Sequence, residues 1–240
     1  MIEVLNLQKS YRSFKAVGGI SFSVGPGEVY GLLGPNGAGK TTTLRMLATL
    51  LKPSGGSARV AGFDVVRQSL EVRRNLGIVN GGMKVYDRLT GREVLDFFGS
   101  FYDLWGQRLK DRIEWASALL KIDQPVLDKQ VREMSSGMQQ KIVIARAILH
   151  QPQVLLLDEA TAGLDVFARR ALLDFVKTYA GLGKTLVYST HVMSEAEEVS
   201  NRVGFIDKGR LVYEGSLQEA LELGRGNLER AFIRRLEEAA

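Results

Sequence analysis

The chain has 240 residues, 45% of them hydrophobic and 25% charged, enough for one large α/β domain or a core with a subdomain. It contains no cysteine, which excludes a disulfide framework and any Cys-ligated metal. The net charge is +5, but the pairs Arg73-Arg74, Arg169-Arg170 and Arg234-Arg235 sit in helical stretches beside acids, so solvated faces account for them and no nucleic acid is expected.

No basic segment followed by a long apolar run opens the chain. No run approaches the ~18 apolar residues of a membrane span. The expectation is a cytoplasmic protein that meets the inner face of a membrane only through a partner.

In chain order, residues 1–33 read as strands and turns. Ile20-Ser21-Phe22-Ser23-Val24 alternates apolar and polar, and Val29-Tyr30-Gly31-Leu32-Leu33 reads as a buried strand. Tyr11 stands before this block, either as a stacking platform for a base or as a surface tyrosine beside Arg12. Gly34-Pro35-Asn36-Gly37-Ala38-Gly39-Lys40-Thr41-Thr42 fits G-x-x-x-x-G-K-[ST], the phosphate-binding loop, and a helix over 42–51 follows it. Glycines let backbone N–H groups close around phosphate oxygens, and the helix aims its positive end at the same anion. Lys40 reaches the β- and γ-phosphates, and the Thr41 hydroxyl binds Mg²⁺.

Short strands are expected at 58–62 and 76–79, with a helix at 69–75 between them and the loop Asn80-Gly81-Gly82-Met83 after them. Residues 90–149 turn helical. Val94, Leu95, Phe97, Phe98 and Phe101 share one apolar face that reads as packing, and Ile113, Ala116, Leu119 and Leu120 share another. A helical subdomain is thus inserted between strands of a sheet. Val154-Leu155-Leu156-Leu157 then runs into Asp158-Glu159, where a buried parallel strand delivers ligand groups at its carboxyl end. Asp158 is placed to hold Mg²⁺, and Glu159 to polarise a water for attack on the γ-phosphate. Residues 165–180 are an amphipathic helix. The strand 185–189 ends at Thr190-His191, which makes His191 a candidate γ-phosphate sensor, whereas His150 looks structural. A hairpin over 203–213 follows, then a Ser216/Glu219 capping box and a last helix over 227–239 with Leu228, Phe232 and Leu236 on one face.

Nearly the whole chain resembles the nucleotide-binding subunits of ABC transporters. The residues that carry the resemblance are the phosphate loop, Met134-Ser135-Ser136-Gly137-Met138-Gln139-Gln140-Lys141 as the signature, Asp158-Glu159, Ala162-Gly163-Leu164-Asp165 and His191, in this order. It implies a P-loop NTPase sheet core with an N-terminal antiparallel β region and an inserted α-helical subdomain. The ATPase domain would cover 1–220, with core and β region at 1–89 and 150–220 and the signature subdomain at 90–149. A helical tail would follow at 221–240. It further implies a homodimer closing head to tail around two ATP–Mg²⁺, with Ser135 and Gly137 donating across the interface to the γ-phosphate. Tyr11 would stack on adenine and Asp165 would couple the two sites. Integral-membrane permease subunits would be the partners.

The signature's Ser136 and Met138, and Tyr86-Asp87-Arg88-Leu89-Thr90-Gly91-Arg92-Glu93, resemble those of bacterial two-gene exporters, including sodium-extrusion types. The alternative is an ABC ATPase with a regulatory or nucleic-acid-linked role. The family's loop glutamine, which contacts Mg²⁺ and the attacking water, falls near Gly81, and here only Asn80 offers a shorter amide. If that loop limits turnover, Gly81→Gln raises the ATPase rate.

Overall fold

A computed structural model of the chain describes residues 1–239. Its elements in chain order are β1 (Ile2–Tyr11), β2 (Phe14–Val24), β3 (Val29–Leu33), α1 (Lys40–Leu47), β4 (Gly55–Val60), β5 (Phe63–Asp64), α2 (Ser69–Arg74), β6 (Leu76–Asn80), α3 (Gly91–Ser100), α4 (Gly106–Leu120) and α5 (Gln124–Leu127). After a 3-10 turn at Val131–Glu133 come α6 (Ser136–Ile148), β7 (Val154–Asp158), α7 (Val166–Gly181), β8 (Thr185–Thr190), α8 (Met193–Val199), β9 (Arg202–Asp207), β10 (Arg210–Ser216), α9 (Leu217–Leu223) and α10 (Leu228–Ala239).

Two sheets share the molecule. One is a four-stranded antiparallel sheet ordered β2-β1-β4-β5, and the other is six-stranded, ordered β10-β9-β3-β8-β7-β6. In the second, β9, β3, β8, β7 and β6 run parallel, and only β10 is antiparallel. Parallel pairing puts the carboxyl ends of β3, β6, β7 and β8 on one edge, where open α/β sheets bind ligands. The residues of β3 and β7 are buried at every position because both faces of the sheet are covered. Each fully buried Leu or Val there stabilises the fold by roughly 1.5–3 kcal/mol.

Helices α3 to α6 form the inserted subdomain, held to the sheet by α6 and β6. Thr90 starts α3 with a capping box to Glu93. The expected inward face of α3 is only partly realised. Val94 and Leu95 are buried, but Phe97 and Phe101 are exposed. Phe97 lies about 60° beyond Val94 around the helix, and Phe101 follows the last helical residue, Ser100; both pack edge-on in a cluster with Phe98 and Tyr86 instead. The last helix packs on the body: Leu228, Ala231 and Phe232 join Phe205 and Val203 in one cluster, and α9 runs through position 220. Among the described residues no helix is long and apolar enough to cross a membrane.

Candidate functional site

The loop from Gly34 to Gly39 joins β3 to α1. Gly39 caps α1 in a left-handed conformation with φ 108°, and a Cβ there would stand 2.7 Å from the Ala16 carbonyl, so this position requires glycine. Lys40 is the first residue of the helix, is only 4% exposed, and donates to the carbonyls of Gly34 at 2.7 Å and Pro35 at 3.0 Å. These are contacts a phosphate would replace, because an ammonium gains more from an anion than from a neutral carbonyl.

Beside the loop is a cavity of about 450 Å³ that includes Tyr11, Phe14, Asn36, Lys40, Thr41 and Glu159. Tyr11 and Phe14 are register partners at the tip of the β1–β2 hairpin, and both rings are exposed. Phe14 was missed in the sequence. The only signal was its place across a two-residue turn from Tyr11, and the strand there was not resolved by its local pattern.

The ends of β6, β7 and β8 align in register: Asn80 opposite Asp158, and Asp158 opposite Ser189. Asp158 is buried, and the Ser189 hydroxyl donates to its Oδ1 at 2.9 Å. One residue on, the chain leaves the sheet. Glu159 takes a φ of 48°, and its N–H still donates to the Ser189 carbonyl at 2.9 Å. A positive φ on a side-chain-bearing residue at such a place is held by its surroundings. Its carboxylate Oε1 lies 3.5 Å from Lys40 Nζ and 3.3 Å from His191 Nδ1. Loop lysine, Glu159 and histidine therefore meet, although they are delivered by three different strands.

Gly81 explains itself here. Its N–H donates to the Asp158 carbonyl at 2.7 Å, and a Cβ on it would lie 2.7 Å from the Glu159 carbonyl. A side chain at 81 would push the backbone of Glu159. The space that a glutamine side chain would leave from is therefore taken by the main chain of Glu159. Two residues on, Met83 Sδ contacts the guanidinium of Arg146, which lies 4.6 Å over the Phe98 ring, so this loop is tied to α6 and α3. Burial lowers the Arg146 pKa.

Ser135 caps α6, accepting from the Met138 N–H at 3.3 Å, and is exposed. Gly137 faces α7, where a Cβ would meet the Ala168 side chain at 2.9 Å. Asp165 caps α7, accepting from the Ala168 N–H at 2.8 Å. None of these three lines the phosphate-loop cavity of its own chain. From the same helix α6, Gln140 donates to the Ala160 carbonyl at 2.8 Å, next to Glu159. Directly after Asp165, Val166 and Phe167 are 74% and 87% exposed, an apolar pair the sequence did not single out.

The Thr41 hydroxyl and the Asp158 carboxylate are oxygen donors of the kind a hard cation such as Mg²⁺ takes. Among the described residues no three His, Cys, Asp or Glu side chains cluster as a metal cage.

A family model described as "ABC transporter" matches residues 17–162. The chain is similar to the ABC transporter ATP-binding protein NatA of Bacillus subtilis, 39% identical over 231 residues, covering 95% of this chain and 94% of that protein. It is similar to the daunorubicin resistance ATP-binding protein DrrA3 of Streptomyces coeruleorubidus, 37% identical, covering 91% and 69%. A solved structure described as the ATP-binding subunit of an ABC transporter superposes with a TM-score of 0.87 at 26% identity, covering 98% and 99%.

Proposed function

The chain belongs to the ABC transporter family, and on that premise we propose that it is the ATP-hydrolysing subunit of an exporter, acting as a homodimer on separate membrane subunits. The observation that carries the reading is the convergence of Lys40 and His191 on Glu159 at the mouth of the phosphate loop. The test is hydrolysis by the purified chain against Glu159→Gln; a wild type that neither binds nor hydrolyses ATP ends the proposal.

ATP enters with its triphosphate along the loop N–H groups and the start of α1, its base against Tyr11 and Phe14. Lys40 exchanges the carbonyls of Gly34 and Pro35 for phosphate oxygens. Thr41 and Asp158 would hold Mg²⁺, which would supply positive charge against the phosphates. Losing Lys40 to the phosphates frees the Glu159 carboxylate, which takes a proton from the attacking water. His191, with Nδ1 turned to Glu159, has Nε2 available for a γ-phosphate oxygen.

A second copy is invoked because Ser135, Gly137 and Asp165 stand outside the chain's own cavity, and because Val166 and Phe167 are uncovered. The Ser135-capped start of α6 then donates to the other copy's γ-phosphate. For the membrane partner we assign the groove of about 430 Å³ lined by Arg73, Arg74, Phe101, Arg108 and Arg112, continuous with exposed Phe97 and Tyr86. Aromatic rings beside arginines fit an amphipathic segment with acidic side chains.

A further inference from the structure

Glu195, in the first turn of α8, is 3% exposed and plays no part in the reaction above. Its Oε2 accepts three hydroxyls: Tyr188 at 2.8 Å, Thr161 at 2.9 Å and Thr190 at 3.1 Å. Among the described residues its Oε1 has no hydrogen-bond partner, and Arg169 Nε lies 3.4 Å from it. A buried carboxylate costs free energy unless it is paired, and removing one partner leaves the penalty uncovered. Glu195 therefore holds its four neighbours in one arrangement.

Those neighbours are not equivalent. Thr161 lies in the turn two residues after Glu159, and that turn closes with the Ala162 N–H on the Glu159 carbonyl at 3.0 Å and the Leu164 N–H on the Thr161 carbonyl at 3.1 Å. Thr190 immediately precedes His191, and its hydroxyl also accepts from the Val192 N–H at 3.0 Å. Arg169 stands in the first turn of α7, its N–H bonded to the Asp165 carbonyl at 2.9 Å, and is 44% exposed. It is two residues beyond the exposed Phe167.

We propose that Glu195 is a positioning residue that locks the Glu159 turn and the His191 strand end into one body and, through Arg169, ties that body to the exposed start of α7. A second copy pressing on Val166 and Phe167 then acts on Arg169, and through Glu195 on the separation of Glu159 and His191. The kinetic part of this proposal rests on the ATPase reading; the lock itself does not.

The test uses the full chain, wild type against Glu195→Gln, Arg169→Ala and the double variant, with Thr161→Val as a milder probe should Glu195→Gln fold poorly. Glutamine keeps an acceptor for the hydroxyls and removes the charge that Arg169 meets. Hydrogen exchange without nucleotide reads the lock. Amides of residues 161–165 and 190–192 are expected to exchange faster together, while α10 is unchanged. Exchange that rises only within α8, or nowhere, overturns the lock whether or not the protein hydrolyses ATP. In an active enzyme kcat is expected to fall roughly tenfold to a hundredfold while the ATP dissociation constant stays within about twofold. Arg169→Ala is expected to add nothing to Glu195→Gln, because one contact carries both effects, and Arg169→Lys is expected to recover part of the loss. Loosened exchange with an unchanged kcat makes Glu195 a merely structural residue and overturns the proposal. An inactive wild type ends the ATPase reading and leaves the exchange result to decide the lock.

Discussion

Lys40 and Glu159 form an ion pair across the mouth of the phosphate loop, Nζ to Oε1 3.5 Å, with the lysine nearly buried and the glutamate partly open to solvent. The cation that would bind phosphate and the carboxylate that would activate water thus hold each other. On the proposed reading, a phosphate entering the loop would compete for Lys40 and so release Glu159, and binding and activation would become one event.

Glu159→Gln removes the base and the competitor together. Hydrolysis is expected to fall by roughly 10²–10⁴, the usual contribution of a general base. ATP binding is expected to be at least as tight as in the wild type, because Lys40 no longer leaves an ion pair. Single-turnover hydrolysis and calorimetric titration with ATP measure the two effects. Weaker binding by Glu159→Gln would refute the competition.

Gly81→Ala and Gly81→Gln each place a Cβ 2.7 Å from the Glu159 carbonyl. The neighbour is backbone and cannot rotate away. Both variants are expected to lose about 1–3 kcal/mol of stability, as overpacked sites do, and to hydrolyse more slowly because Glu159 moves. Thermal melting and ATPase rate decide; a faster Gly81→Gln with an unchanged melting point would show the loop to be permissive.

Tyr11→Ala and Phe14→Ala are each expected to weaken ATP binding by roughly 1–3 kcal/mol, the worth of one aromatic–base stack. GTP is expected to suffer similarly, since every base has a π-face. Titration with both nucleotides tests this, and a Phe14→Ala variant with wild-type affinity would remove that ring from the site.

His150 stacks on Tyr102 at 3.8 Å, with Nε2–H donating to the Leu76 carbonyl at 3.2 Å and Nδ1 without a partner among the described residues. Burial pushes its pKa down to about 4, and the Leu76 carbonyl opposes that only in part. The folded state therefore refuses a proton that the unfolded chain accepts near pH 6.5. Between those values the unfolded chain binds more protons, so stability falls as pH drops from about 6.5 toward 4, by on the order of 3 kcal/mol at full effect. His150→Phe keeps the stack and is expected to flatten the melting temperature between pH 7.5 and 5. An equally steep loss in the variant would place the acid sensitivity elsewhere.

Phe97→Ser and Arg74→Glu alter the groove beside α3 without touching the phosphate loop. Both are expected to keep the soluble ATPase rate and to lose co-purification with the membrane subunit. A variant that loses neither would move the contact to another face.

The parallel-sheet core and the helical insert were legible because they rest on local patterns. The strand Val29–Leu33 and the run ending in Asp158-Glu159 needed only apolar continuity and a following turn. The glycine loop needed only spacing. The phosphate chemistry proposed for it rests on residue types that admit few other uses.

What the sequence could not show is how segments far apart in the chain meet. Thr161 and Glu195 are 34 positions apart, and no periodicity marks their contact. The outward turn of Phe97 and Phe101 depends on where α6 packs, and hydrophobicity alone put them inside. The contact of Gly81 with the Glu159 carbonyl joins two segments 78 positions apart, and no local pattern announces it. By itself the sequence determined the strand–loop–helix that can hold a phosphate and the acid at the next strand's end, because each is a short-range consequence of residue type. The tertiary structure decided which groups face that acid and what locks its turn, because those depend on sheet register and helix packing, which no local stretch contains.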